Sequence, residues 1–138
     1  VGAGVGYYYS RPERTAEKVL TAVYTVDNAE IQRRREAIDN RTFDTYMRER
    51  CDGAVTDNCI DGMITASALY YGATPAKVES IKFSPIDKAT SDTASFQYTA
   101  VFSDDSNAKE RIGHVVMKKE NGKWRVDSFV TKSVTKAD

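Results

Sequence analysis

The sequence predicts an α+β domain in which two or three N-terminal helices pack on one side of a curved antiparallel sheet of about four strands, arranged as a meander. Three observations support this prediction. Apolar residues recur with helical spacing in roughly the first fifty residues, they alternate with polar residues from Ala76 onward, and the chain has 138 residues, the length of one domain. We place this domain at residues 10–132, a disordered or anchor-adjacent segment at 1–9, and a C-terminal tail at 133–138.

The first predicted helix starts in the stretch "SRPERTAEKVL". Ser10 is placed to cap it, Glu13 completes a capping box, and Pro12 lies in the first turn, where proline is tolerated. Apolar residues then recur at helical spacing, at Ala16, Val19, Leu20, Val23 and Val26. One face of this helix is therefore expected to pack against an apolar surface.

Two further helical segments follow. "DNAEIQRRREAID" carries a thin apolar line, Ile31 and Ile38, among charged residues, which is typical of a surface helix. "NRTFDTYMRERC" has apolar residues at helical spacing, with Asn40 as its expected cap. Residues 51–75 are ambiguous, because Gly62, Gly72 and Pro75 bound a stretch that fits either a short strand or a helix.

The second half of the chain has the pattern of strands. Residues 76–86 are rich in β-branched and aromatic residues, and residues 92–104 alternate, with Ala94, Phe96, Tyr98, Ala100 and Phe102 on one face. Two more strands, 110–120 and 123–133, flank Asn121–Gly122, the pair favoured in two-residue hairpin turns. Consecutive strands joined in this way form a meander, and its apolar face is expected to lie against the helices.

The last strand contains the only tryptophan, in "GKWRVDSF". Trp124 and Val126 share one face, which we expect to point toward the helices. Phe129 falls on the opposite face of a regular strand, so its burial requires either a β-bulge or a second buried surface. Because buried aromatic residues usually belong to the core, we interpret Trp124 as a core residue rather than a ligand contact.

Two cysteines lie eight positions apart in "CDGAVTDNC". A disulfide between Cys51 and Cys59 would close a short loop and contribute roughly 2–3 kcal/mol. Paired cysteines that are otherwise rare suit an oxidising compartment, although two buried free thiols are the alternative. No metal site is predicted, because the sequence has one histidine and no cluster of further ligands near the cysteines.

Charge and composition restrict the function classes. Lys plus Arg and Asp plus Glu are 20 each, so the formal net charge is zero, which argues against a nucleic-acid-binding domain. No run of 18 apolar residues is present that would span a membrane. The opening "VGAGVGYYYS" places three tyrosines after small apolar residues, as at the outer end of a membrane anchor. The alternative for this opening is a cloning remnant with a flexible terminus.

Residues able to carry chemistry are few. His114 is the only histidine, and with Asp127 on the neighbouring strand it would form an acid–base pair if the two side chains faced each other. Arg33, Arg34, Arg35 and Arg41 form a basic cluster interspersed with Glu30 and Glu36, so it is either an interaction patch for acidic partners or an ordinary solvated helix face. No phosphate-binding loop, nucleophile elbow or zinc-protease motif is present. We therefore predict no catalytic residue, cofactor site or metal site.

Helices followed by a meander that ends in "HVVMKKENGKWRV" resemble the nuclear transport factor 2-like superfamily, which is cystatin-like in its broader architecture. The resemblance covers about residues 10–132. It implies a cone between sheet and helices that is an enzyme pocket, a ligand pocket or a filled core. Enzymes of that superfamily, such as ketosteroid isomerases, pair a pocket aspartate with tyrosine donors. In this chain the candidate donors are Tyr24, Tyr46, Tyr70, Tyr71 and Tyr98, and spacing relates none of them to Asp39 or Asp44.

The layout is also similar to the bitopic scaffold subunits of type IV secretion and conjugation machinery. That resemblance implies a non-enzymatic domain on the extracytoplasmic side of a bacterial cell membrane, held by an upstream helix. Its partners would be other protein subunits or a second copy of the chain. The Asn-Pro-x-Gly turn of many Gram-negative members is absent, since "GATPAK" does not supply it. The alternatives are a small-molecule-binding or isomerase-like enzyme of the same superfamily and a soluble accessory protein.

Overall fold

The structure, a computed structural model, describes residues 11–103 and 106–136. The helices are α1 (Pro12–Tyr24), α2 (Asn28–Asp39), α3 (Phe43–Arg50), α4 (Asp57–Thr65) and α5 (Ser67–Tyr71). The strands are β1 (Val78–Phe83), β2 (Lys88–Ala89), β3 (Thr93–Phe102), β4 (Ala108–Glu120) and β5 (Lys123–Lys136). The predicted α+β class is confirmed, because helices pack on one face of an antiparallel sheet.

The sheet is a meander with strand order β1-β3-β4-β5, and the short β2 pairs with β3 beside β1. Every pairing between these strands is antiparallel. The turn between β4 and β5 uses Asn121 and Gly122 with φ of 52° and 77°, the positive values that a type I′ hairpin requires. The hairpin predicted from this residue pair is therefore confirmed.

The alternation predicted for β3 is confirmed by burial. Ala94, Phe96, Tyr98, Ala100 and Phe102 are all at most 4% exposed. Ala94, Phe96 and Tyr98 belong to the same apolar cluster as four residues of α1 that are at most 3% exposed, Ala16, Val19, Leu20 and Val23. The apolar stripe of the first helix therefore covers the concave face of the sheet, as expected from the two matching patterns.

β5 contains two bulges that decide which of its residues face the helices. Met117 pairs with Val126 and Val116 with Ser128, so Asp127 is an extra residue. Lys132 is a second one, because Gly113 pairs with Thr131 and Ile112 with Ser133. The first bulge turns Phe129 to the same face as Val126, where its ring centroid lies 6.1 Å from that of Tyr24. Of the two alternatives given for the burial of Phe129, a bulge or a second buried surface, the structure has the bulge.

Trp124 lies on this same concave face, near the hairpin. Its ring is partly buried and packs against the core, and Lys119 Nζ lies 5.5 Å from the ring centroid. Its partner on β4 is Lys119, at the end of the sheet, so the indole covers the edge of the core. The interpretation of Trp124 as a core residue is consistent with this position.

Several predicted boundaries differ from the structure. Arg11, and not Ser10, is the N-cap of α1 and makes no capping bond with its side chain, while Ser10 lies outside the described residues. Thr42 rather than Asn40 precedes α3, because Asn40 is the C-cap of α2. The ambiguous residues 51–75 supply α4 and α5, where Thr56 caps α4 through its side chain. β5 continues to Lys136, past residue 132, where we placed the end of the domain.

The segment 1–9, with its expected anchor-adjacent tyrosines, lies outside the described residues. Within the described ranges, no helix combines the length and the apolar character needed to cross a bilayer.

Candidate functional site

The structure does not bring His114 and Asp127 together. His114 is on the outer face of the sheet, opposite Val130, and its Nε2 lies 3.4 Å from Oδ2 of Asp87 in the β1–β2 connection. Asp127 occupies the first bulge of β5, and its Oδ1 accepts a hydrogen bond of 2.8 Å from the hydroxyl of Thr56. The acid–base pair that the sequence left open is therefore not formed, because the bulge directs the Asp127 side chain toward α4.

Asp127 organises the start of α4. The Thr56 hydroxyl that donates to Asp127 accepts a hydrogen bond of 3.1 Å from the backbone N–H of Cys59. Asn58 donates from its side-chain amide to the backbone carbonyl of Asp127. Backbone bonds of Val126 to Ala54 and Thr56 complete the attachment of this loop to β5. The chemistry of Asp127 is thus that of a structural acceptor at a helix cap.

The four arginines of the predicted basic patch do not share one exposed face. Arg34 is 1% exposed and points into the protein. Arg33 is exposed, but its Nε lies 3.5 Å from Glu30, and Arg35 donates to the carbonyl of Tyr71 while its guanidinium covers the Tyr71 ring. Arg41 is exposed in the turn after α2, with φ of 58°. Arg34 is therefore part of neither an exposed patch nor a solvated helix face, because it is a core residue.

Arg34 belongs to a buried ionic cluster around Glu30, which is 2% exposed. One carboxylate oxygen of Glu30 accepts from Arg34 Nε at 2.7 Å and lies 3.1 Å from Arg50 Nε. The other accepts from the hydroxyl of Tyr46. Burial, together with this bond to Glu30, raises the pKa of Tyr46. Glu30 is thus a buried carboxylate that accepts two hydrogen bonds and has a second cation, Arg50, within ion-pair distance, the arrangement that makes a buried charge tolerable.

The same arginines cap the C-terminus of α1. Arg34 donates to the carbonyls of Val23 at 2.9 Å and Ala22 at 3.0 Å. Arg50 donates to those of Ala22 at 3.0 Å and Thr25 at 2.9 Å. Cations at this end of a helix satisfy its free carbonyls and complement its dipole. The cluster therefore joins α1, α2 and α3 through charge-assisted hydrogen bonds.

A groove of about 360 Å³ lies beside this cluster. Glu30, Arg33 and Arg50 line one wall, and Pro75–Lys77 with Ser106 line the other. Most of its charged groups are engaged, since Glu30 and Arg50 form an ion pair within the cluster and Asp27 caps α2 by accepting from the N–H of Glu30, while Lys77 is exposed at the rim. The groove therefore offers a recess of ligand size, without a set of converging reactive groups.

A pair of tyrosine hydroxyls lies on the concave face. Tyr98 is fully buried, its hydroxyl lies 2.6 Å from that of Tyr24, and the guanidinium of Arg111 covers the Tyr24 ring at 4.9 Å. Burial, with Tyr24 close by, raises the pKa of Tyr98. Gly113 leaves the room that this hydroxyl occupies, because a Cβ there would lie within 3.0 Å of Tyr98 and of the Val130 carbonyl. Sequence spacing did not indicate this pair, because it depends on how α1 packs on β3.

The other predicted tyrosines have separate positions. Tyr70 packs against Phe43 with ring centroids 5.2 Å apart, and its burial raises its pKa. Tyr71 is exposed, and its hydroxyl lies 3.4 Å from Asp39. No interaction joins Asp44 to a tyrosine hydroxyl within the described part of the chain. A pocket aspartate that faces tyrosine donors is therefore not assembled by these residues.

The two cysteines are free thiols, so the predicted disulfide is not formed in the structure. Cys51 is the C-cap of α3 and Cys59 lies in the first turn of α4, at 0% and 4% exposure. Burial raises the pKa of Cys51 to about 11 and that of Cys59 to about 12. The alternative of two buried free thiols therefore describes their state here, and both pack as small apolar residues.

The described residues contain no group of three or more metal-ligating side chains. A search of protein-family models finds no family that matches the sequence, and a search of curated proteins finds no match either. The α+β architecture, with helices on one face of an antiparallel meander, is compatible with a nuclear transport factor 2-like fold.

Proposed function

We propose that this chain is a non-enzymatic assembly domain of a membrane-anchored bacterial protein, on the extracytoplasmic side of the cell membrane. In this proposal it belongs to the nuclear transport factor 2-like superfamily and serves as a scaffold subunit of a type IV secretion or conjugative transfer complex. Its role is to hold other protein subunits, and to bind a second copy of itself, through surface contacts.

The observation that carries the proposal is the filled concave face of the sheet. Val115, Met117 and Val126 are fully buried there beneath Leu20 of α1, in a single apolar cluster. A superfamily enzyme needs a cavity at this place, because its substrate binds between the sheet and the helices. A side-chain core that fills the same space supports a structural role.

The surface supports the same proposal. The formal net charge is zero, so no strong electrostatic field favours a nucleic acid. Ile64, Leu69 and Tyr71 of the α4–α5 region are exposed, and Leu69 is 77% exposed. Large exposed apolar side chains are common at contacts between proteins. The anchor itself rests on the sequence of residues 1–9, because tyrosines follow small apolar residues there.

The proposal is tested in the host cell with the full-length protein. Deletion of the gene is expected to abolish conjugative transfer or secretion, and the wild-type gene is expected to restore it. A gene with His114→Ala is expected to restore transfer equally well, because His114 acts only in an exposed pair with Asp87. Chemical cross-linking in intact cells should join the domain to other subunits of the complex.

Two results would refute the assembly role. One is unchanged transfer after deletion of the gene. The other is a stably folded His114→Ala protein that fails to restore transfer, since this would favour the enzyme alternative. Circular dichroism of the purified variant domain separates that second result from simple misfolding.

A further inference from the structure

The outer edge of β5 differs along its length. β5 is the last strand of the sheet, so only one of its edges pairs with β4. Near the hairpin, its other edge is covered, because Val126 donates to the carbonyl of Ala54 and accepts from the N–H of Thr56. Beyond Asp127, no backbone group of β5 bonds outward to another described residue. The second half of this edge is therefore open within the described structure.

The register shows which backbone groups point outward. The backbone N–H and C=O of Val126 point away from β4. Its β4 partner is Met117, and every second residue of β4 from there, Val115, Gly113 and Arg111, has the same orientation. In an antiparallel ladder alternate residues point to opposite sides. The partners of this series on β5 are Val126, Phe129, Thr131 and Val134. The N–H and C=O groups of Phe129, Thr131 and Val134 are therefore available to a further strand.

The side chains at this edge are exposed and carry one sign of charge. Residues 130–136 are all exposed, with Val130 at 56% and Val134 at 41%. The stretch "SFVTKSVTK" holds Lys132 and Lys136 and no acidic residue. At the start of β4, Lys109 and Arg111 contribute two positive charges and Glu110 contributes one negative charge. A strand lying here would meet two exposed valines and a positive surface.

A second copy of the chain does not fit this edge well. Antiparallel self-pairing would bring Lys132 and Lys136 of both copies into one short ladder, with no carboxylate in residues 128–136 to balance them. Like charges on facing strands destabilise pairing, and lysine on an edge strand commonly prevents self-association. An acidic strand has the opposite effect, because each lysine then gains a partner.

We propose that the open edge of β5, residues 129–136, binds an extended acidic segment of a partner protein, which adds to the sheet as a further strand. Backbone hydrogen bonds to Phe129, Thr131 and Val134 fix the register of the bound segment. Carboxylates opposite Lys132 and Lys136 make the site selective for acidic segments. Apolar residues of the segment cover Val130 and Val134. This inference rests on the proposed assembly function, because it names the surface and the class of partner.

The test begins with a displayed library of random peptides of about twelve residues, selected against the purified chain. We expect enrichment of sequences that combine acidic with apolar residues, with apolar residues on both faces of the bound strand because Val130 and Val134 lie on opposite faces of the sheet, and with affinities that fall as salt rises. Val134→Pro removes one outward N–H without disturbing the β4 ladder, and proline is tolerated on edge strands. It should weaken binding about tenfold or more.

Charge reversal provides a second variant that spares the backbone. Lys132→Glu combined with Lys136→Glu should also weaken binding about tenfold. The matched control is Lys82→Glu combined with Lys88→Glu, two exposed lysines on the β1–β2 side of the sheet, and it should bind like the wild type. Amide chemical-shift changes on peptide binding should concentrate in residues 129–136.

Three results would overturn the inference. These are no enrichment of acidic peptides, binding that neither edge variant weakens, and a dimer in sedimentation that Val134→Pro dissolves. None of them touches the assembly role, which is refuted only by the two transfer results given above. Peptides that bind elsewhere, with transfer still dependent on the gene, would refute the edge and keep the assembly role.

Discussion

Removing the carboxylate of Glu30 is expected to destabilise the domain strongly. Glu30→Gln keeps the shape of the side chain and a hydrogen-bond acceptor, but it leaves the Arg34 guanidinium, 1% exposed, without its counter-charge. Breaking a buried ion pair in this way costs about 3–5 kcal/mol. Arg34 keeps its bonds to the carbonyls of Val23 and Ala22, and the Arg50 side chain is 29% exposed, so we expect the lower figure.

The assay is urea unfolding followed by Trp124 fluorescence and by circular dichroism. A loss of about 3 kcal/mol should lower the midpoint with an unchanged slope, and it should lower the melting temperature by roughly 10 °C. Glu36→Gln is the matched control, because Glu36 lies on the exposed side of the same helix. It should change the free energy of unfolding by less than about 0.5 kcal/mol.

A second comparison separates the ion pair from packing. Replacing Glu30 and Arg34 together by methionine removes both charges at similar volume, and it should recover part of the stability that Glu30→Gln loses, because the Arg34 bonds to the carbonyls of Val23 and Ala22 are lost as well. The reasoning is refuted if Glu30→Gln is as stable as Glu36→Gln. It is also refuted if the double variant is less stable than Glu30→Gln, since the attraction within the ion pair would then exceed the free energy lost when its two charges are desolvated.

Two further predictions concern Gly113 and the thiols. Gly113→Ala should lower the free energy of unfolding by about 2 kcal/mol, because the new methyl group collides with Tyr98. Gly62→Ala in α4 meets no atom within 4 Å and should raise the free energy of unfolding by about 0.5–1 kcal/mol. Equal effects of the two in urea unfolding would contradict this account. Cys51 and Cys59 should react with iodoacetamide at pH 8 at least about 100-fold more slowly in the folded than in the unfolded chain, because burial raises both pKa values. At a pH between the ordinary thiol pKa of 9.0 and these raised values, the thiols ionise only in the unfolded chain. The free energy of unfolding should therefore fall by about 1.4 kcal/mol for each thiol at pH 10. A native mass that changes with reductant would show a disulfide instead.

The sheet was predictable because its signals are local. Alternation along residues 94–102 reports which side of a strand is buried, and Asn121–Gly122 reports a tight turn. The mismatch between the aromatic character of Phe129 and strict alternation also indicated either a bulge or a second buried surface, and the structure has the bulge. Each of these inferences needed only a few neighbouring residues.

The charged and polar partners were not predictable in this way. We interpreted Glu30 and Arg34 as solvated charges. Their spacing of four residues, continued by Ala37, places them on the buried face of α2. His114 pairs with Asp87 and not Asp127, because two bulges and the β1–β2 connection set its neighbours. The Tyr24–Tyr98 contact joins residues 74 positions apart. Such contacts follow from register and packing, which no local pattern encodes.

The arginine caps at the end of α1 also bear on how the domain opens transiently. Because Arg34 comes from α2 and Arg50 from α3, neither helix can detach without uncovering carbonyls of α1 and exposing a charge that Glu30 neutralises. Partial unfolding of this half should therefore be concerted. Amide protons in the last turn of α1, in α2 and in α3 are expected to exchange with deuterium as one unit, at a single opening free energy.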